Sequence, residues 1–321
     1  MSKRTASFVV TSFFFAIAVL GFAQRQWIKD TIIVNSTELE QSSQAVLGQI
    51  ALTDRAEFIY RASQPKVQSA EQFNQSCRGV SKEYSIVLGC YTQQKLFVFD
   101  VQDNRLDGVI QVTAAHELLH GVYERLSQSE KMEIDAKLLA FADTVQDKRF
   151  NETVAQYKKA EPEHIANELH SMIGTELEKL PPDLEAYYEK YFFDRAKIVT
   201  YAHQYEDSLE QYSSQITAYD TQLKVLEREK NELERTLDQK QKTIESEAER
   251  INSLRSSGET QTYNSQVPGY NNRIQAFNGD IKRMKQIISE YNLMVEKRNA
   301  LATTQNDLVQ KLDSRYQSIQ H

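Results

Sequence analysis

A chain of 321 residues, 40% of them hydrophobic, can bury a sizeable core and leaves room for one or two domains plus an extension. That composition excludes a disordered chain. A formal charge of −7 and the absence of any basic run exclude a broad nucleic-acid surface, which needs clustered Lys and Arg.

The N-terminus sets Lys3 and Arg4 ahead of an almost uncharged run from Thr5 to Gln24, rich in Phe, Val, Ala and Ile. Roughly 17 to 25 such residues span a bilayer, so residues 1–29 read as a membrane segment. Gly21-Phe22-Ala23 offers small residues for a signal-peptidase cut before Gln24, so the alternatives are a retained single-pass anchor and a cleaved signal that leaves a secreted protein. Arg25 and Lys29 follow the run, so basic residues flank both ends and charge decides orientation only weakly. Cys77 and Cys90 are the only cysteines. Downstream of an export segment they read as one disulfide, formed outside the reducing cytosol, which puts the body on the extracytoplasmic side.

Residues 30–204 read as a mainly helical α+β domain. Thr31 to about Ser69 has helical patterning, with Thr53 or Asp54 capping a helix that ends before Pro65. Tyr84–Tyr91 and Lys95–Val101 are β-rich runs joined by Thr92-Gln93-Gln94, a hairpin pattern. The second run alternates Leu96, Val98 and Asp100 against Phe97, Phe99 and Val101, so both faces are largely apolar and the strand is expected to pack on the body. A helix follows from about Asp107 to Leu126. Ser127 with Glu130 forms a capping-box pair for the next, to about Gln146. Another runs from about Pro162 to Lys179 and stops at Pro181-Pro182; a further one begins near Asp183.

The first of these helices carries the stretch TAAHELLHG, Thr113 to Gly121. Residues four apart share a helix face, so His116 and His120 can aim imidazole nitrogens at one ion, and zinc accepts that geometry. Glu117 lies about 100° round from His116, placed to reach a water on the metal rather than the metal, to take its proton and pass it to a leaving amine. Val109, Val112, Leu118, Leu119 and Val122, with small Ala114, Ala115 and Gly121, mark the helix as central and closely packed. The bland alternative is a pair of solvated surface histidines.

A catalytic zinc takes a third protein ligand and keeps one position open. The longer H-E-x-x-H-x-x-G-x-x-H pattern of the metzincins fails, because Tyr123 stands where Gly and Leu126 where His would be. Asn167-Glu168, in a helix downstream of His116-Glu117-x-x-His120, resembles the gluzincins, the thermolysin-like zincin metallopeptidases. The resemblance covers about Lys95 to Lys179. It implies a zincin fold with a small mixed sheet above the motif helix, Zn2+ held by His116, His120 and Glu168, Glu117 as catalytic base and acid, and a peptide or protein substrate laid against an edge strand. The Asp that often follows the ligand Glu by four residues is Met172 here, and Glu168 lies farther from the motif than in thermolysin. His164, Glu163, His170 and Glu176 are rival third ligands, and Cys90 is the ligand that a peptide-deformylase arrangement would use. Tyr187, Tyr188, Tyr191 and His203 are candidate oxyanion donors.

Residues 205–321 differ in kind. Tyr205, Leu209, Tyr212, Ile216, Tyr219, Leu223, Leu226, Lys230, Leu233, Leu237, Lys240, Ile244, Glu247, Ile251 and Leu254 follow unbroken 4-3 spacing, a heptad seam. Gly258, Pro268 and Gly269 mark a loop over 257–273, after which the spacing resumes from Ile274 through Phe277, Ile281, Met284, Ile288, Tyr291, Val295, Arg298, Ala302, Gln305, Val309 and Leu312 to Tyr316 and Ile319. Two seams of similar length joined by a loop predict an antiparallel coiled-coil hairpin, a stalk or docking arm for a protein or cell-wall partner. The expected activity is zinc-dependent peptide hydrolysis. The rivals are a noncatalytic envelope scaffold and a hydrolase of peptidoglycan cross-bridges.

Overall fold

A computed structural model describes residues 24–79 and 86–315. The proposed membrane segment before Gln24 and the seam positions Tyr316 and Ile319 lie outside the described residues, as does the start of the first β-run. The chain divides into two compact units, one running to Ser208 and taking in the segment from Leu308, the other Leu209–Asp307. It is mainly helical with one small sheet.

The first unit opens with α1 (Arg25–Ser36), α2 (Gln41–Leu47) and α3 (Asp54–Ala62). Thr53 caps α3 by accepting from the Ala56 amide, and Ser63 and Gln64 end it before Pro65. Three strands follow: β1 (Lys66–Gln68), then α4 (Ala70–Ser76), then β2 (Gly89–Thr92) and β3 (Lys95–Phe99). The order is β1-β3-β2, with β1 parallel and β2 antiparallel to β3. The hairpin is shorter than its β-rich runs suggest. Thr92 pairs with Lys95, so the link is two residues, and Gln93 and Gln94 both take positive φ (52° and 61°), the twist a two-residue hairpin turn requires. Two glutamines bear this conformation where glycine or asparagine is usual. Gln94 is tied down by hydrogen bonds to Gln26 and Lys29 of α1.

Strand β1 escaped the sequence reading because three residues are too few to show a period. Its place beside β3 makes β3 the central strand, and both of that strand's apolar faces are used. Leu96 and Val98 enter the main core, while Phe99 packs on Phe73 of α4 with ring centroids 5.9 Å apart. The Cys77–Cys90 disulfide joins the end of α4 to β2, its Cα atoms 5.9 Å apart.

Helix α5 (Val109–Arg125) runs beneath the sheet with Val112, Ala114, Ala115, Leu118, Leu119 and Val122 all buried, as a central helix must. Then come α6 (Gln128–Ala142), α7 (Lys148–Ala160), α8 (Ile165–Glu176) and α9 (Pro182–Tyr188). The Ser127–Glu130 capping box starts α6 as expected, although the helix ends at Ala142 rather than near Gln146. Helix α7 was not anticipated. Asp147 caps it and Phe150, Val154 and Tyr157 form a narrow stripe among charged residues, so only a small part of its surface is apolar.

The long helices are α10 (Arg195–Ser256) and α11 (Thr260–Leu312). In the second unit they pair antiparallel: as the α11 partner advances from Arg273 through Arg283 to Arg298, its α10 partner retreats from Glu247 through Glu229 to Asp220. Every α10 position of the predicted seam from Leu209 to Leu254 is buried or half-buried, and two of its three charged residues, Lys240 and Glu247, are neutralised across the pair by Asp280 and Arg273. Two expectations need correction. The loop over 257–273 is a three-residue turn, Ser257 to Glu259, and Pro268 lies inside α11. Pro268 is exposed, so water can satisfy the carbonyl that its missing N–H leaves free, and Tyr263, Val267 and Tyr270 still face inward. The α11 seam keeps its expected positions from Ile274 to Leu312 except at two places, where it slips by one residue. Ile287 and Leu308 are buried where Ile288 and Val309 were expected, and Ile281, Met284 and Ile287 sit at two successive spacings of three, which rotates the buried stripe.

Candidate metal site

Helix α5 sets His116 and His120 one turn apart on one face, their ring centroids 4.9 Å apart at 74°. Helix α8 crosses close to α5 because residue 174 is glycine; a Cβ there would meet Leu119 Cδ1 and the Tyr188 ring at 2.6 Å. The approach brings Glu168, in the first turn of α8, opposite both imidazoles. Its Oε2 stands 3.8 Å from His116 Nε2 and its Oε1 3.8 Å from His120 Nε2, and the three donor atoms lie within 4.8 Å of one another. These gaps are too long for hydrogen bonds. Glu168 Oε2 is buried with no hydrogen-bond partner. Donors around a tetrahedral zinc stand roughly 3.4 Å from one another, so two imidazole nitrogens and a carboxylate oxygen at these spacings, one oxygen otherwise orphaned, suit such an ion with a fourth position open.

The carboxyl of Glu168 faces opposing influences. Burial would raise its pKa, but the neighbouring His116 and His120 and the Tyr157 hydroxyl outweigh burial and hold it below the usual range. Glu117 is pushed up to about 7, mainly by burial and further by Glu168, against a lowering by His120. A cation at the three ligands would add positive charge beside Glu117 and draw it down.

Strand β2 fixes Glu117 from above. A Cβ on Gly89 would lie 2.6 Å from Glu117 Cγ, 2.7 Å from its Oε1 and 2.6 Å from Thr113 Cγ2, so the strand backbone rests directly on the acid. The support for His120 comes from an unexpected residue. Ser171 Oγ lies 3.4 Å from His120 Nδ1, one position before Met172, where the familiar Asp would stand; Met172 itself is buried in the core. Glu168 and Ser171 are three apart on α8 and so share a face, which is the signal that could have found Ser171.

The rival ligands go elsewhere. His164 and Glu163 are exposed beside each other, Glu176 pairs with Arg149, and His170 is buried against Tyr187, whose hydroxyl lies 2.8 Å from its Nε2. Cys90 is in the disulfide and cannot ligate, which removes the deformylase arrangement. Of the aromatic candidates, Tyr188 donates to the His170 carbonyl, Tyr191 is buried in the core and His203 is exposed. The tyrosine that senses both Glu168 and Glu117 is Tyr157 of α7, whose phenol is pushed well up, first by burial and then by those carboxylates. Sequence reasoning missed it together with its helix.

No known family model, curated protein or solved structure matches the chain. Among the described residues no helix is long and apolar enough to cross a membrane.

Proposed function

We propose that the chain is an exported zinc-dependent peptidase of zincin-like architecture, held to the membrane by its N-terminal segment or released by cleavage of it. The observation that carries this reading is the convergence of His116, His120 and Glu168 with Glu117 packed beside them. Zinc bound there supplies a Lewis acid and lowers the pKa of a coordinated water toward 7. Glu117, pinned under Gly89, is placed to accept a proton from the attacking water and deliver it to the departing amine. Tyr157 is the candidate donor to the developing oxyanion. Among the described residues strand β2 is at the edge of the sheet with one side unpaired, and that side can receive an extended substrate backbone, with Gly89 admitting it close to Glu117. The Cys77–Cys90 bond fits a body outside the cytosol. The long helices act as an antiparallel coiled-coil arm for a protein or cell-wall partner, as their inward-facing seam supports.

The test is Glu117→Gln in the full chain, assayed on a peptide library. The variant should keep the metal content of wild type while hydrolysis falls by about 10²- to 10⁴-fold, the share of a general base. Unchanged hydrolysis in that variant would refute the assignment of Glu117.

A further inference from the structure

Helix α1 is the first described element after the apolar run, and it turns large apolar side chains outward. Trp27 is 59% exposed, Ile28 41% and Ile32 62%. They fall within an arc of roughly 140° of the helix, with Ile28 and Ile32 opposite Asp30 and Trp27 at the border between the two sides. The helix cannot roll to hide them. Asp30 is 3% exposed and bonds Arg125 of α5 through Arg125 Nε at 2.8 Å and Nη2 at 3.0 Å, while Arg125 Nη1 also donates to Tyr91 Oη and the Gly121 carbonyl. A buried, doubly bonded ion pair of this kind locks the facing. At its start α1 is held a second time, by the contacts of Gln26 and Lys29 with Gln94.

We infer that this outward face of α1 lies in the interfacial layer of the lipid bilayer. The inference rests on the membrane reading above and specifies how the body sits on the lipid. The occupant follows from the chain itself: the apolar run of Thr5 to Gln24 ends three residues before Trp27, so the apolar phase nearest these side chains is the one that run enters. Tryptophan favours the headgroup boundary, and a helix with one apolar face can lie in that plane. The candidate metal site is then close to the lipid. Residues Gly89 to Thr92 of β2 span roughly 10 Å between the strand backbone over Glu117 and the turn that grips α1. Extended segments at the membrane surface are the substrates such a site can reach.

Trp27 is the only tryptophan, so intrinsic fluorescence reports on this helix. The full chain is reconstituted in phosphatidylcholine vesicles carrying bromine on the acyl chains, once as wild type and once as Trp27→Phe with Ile32→Trp. Both tryptophans should be quenched, to within about twofold of each other. A helix standing upright from the membrane would carry residue 32 roughly 12 Å beyond Gln24, so quenching at 27 without quenching at 32 would overturn the inference while leaving the membrane segment intact. Failure of the chain to float with the vesicles would overturn both. Neither failure touches the zinc reading, because metal content is measured on the same samples.

Discussion

In the proposed hydrolysis Glu117 is the proton-transferring residue, and Gly89, packed against it, gives it a place. Because the added methyl of Gly89→Ala must overlap the Glu117 side chain, the substitution should displace the carboxylate and lower peptide hydrolysis by about tenfold or more. Its stability cost should be only about 1 to 3 kcal/mol, the usual range for overpacking, and bound zinc should be retained. Rates, melting temperature and metal content of one preparation check it, and an unimpaired rate would mean that Glu117 is not held as described. A second residue reports through pH. Arg149 bridges Glu176 and Glu206 at the edge of α7, and burial, aided by Glu176 and opposed by Arg149, pushes Glu206 up to about 7. A carboxyl raised in the folded state stabilises fully below its unfolded value near 4.5 and loses that contribution as pH rises through 7. Glu206→Gln should therefore lose less stability than wild type between pH 5 and pH 8, as measured by melting temperature at the two pH values. At this scale much was legible: His116, Glu117, His120 and Glu168 follow from spacing and resemblance, and the three-residue step from Glu168 marks Ser171, whereas Tyr157 reaches the site through a contact between helices that no local pattern announces.

Elements position these residues by close approach rather than by their own propensity. The motif helix was readable because its many apolar and small residues mark a central, closely packed helix, and the capping box of α6 because two side chains satisfy each other's backbone partners. Strand β1 and helix α7 were not: one is too short, the other too charged, and each is held by what it packs against. The disulfide belongs here, since it ties α4 to the strand that covers Glu117. Cys77→Ser with Cys90→Ser should lower stability by about 2 to 4 kcal/mol in denaturant unfolding and reduce hydrolysis together with it. Activity unchanged in the folded double variant would show that β2 keeps its seat without the bond. Substituting Asp30→Ala leaves a buried guanidinium short of its carboxylate, and a loss of about 3 to 5 kcal/mol is expected in the same measurement.

At the scale of the whole chain, the two-part organisation was visible in the change from mixed patterning to heptads, but its details were not. The turn between the long helices is far tighter than Gly258, Pro268 and Gly269 suggested, because Pro268 is carried inside α11 on its exposed face while the flanking residues keep their inward phase. The return of Leu308, Leu312 and Ser314 to the first unit, where Ser314 exchanges hydrogen bonds with Asn74, left no trace in the spacing. The proposed function stands on a zinc ion held by residues of two helices, α5 and α8. Elemental mass spectrometry on the full chain, beside His120→Ala and Glu168→Ala, tests it most directly. About one zinc per wild-type chain is expected, with most of it lost in both variants; no zinc in wild type after the metal is supplied, or full occupancy in Glu168→Ala, would refute the site.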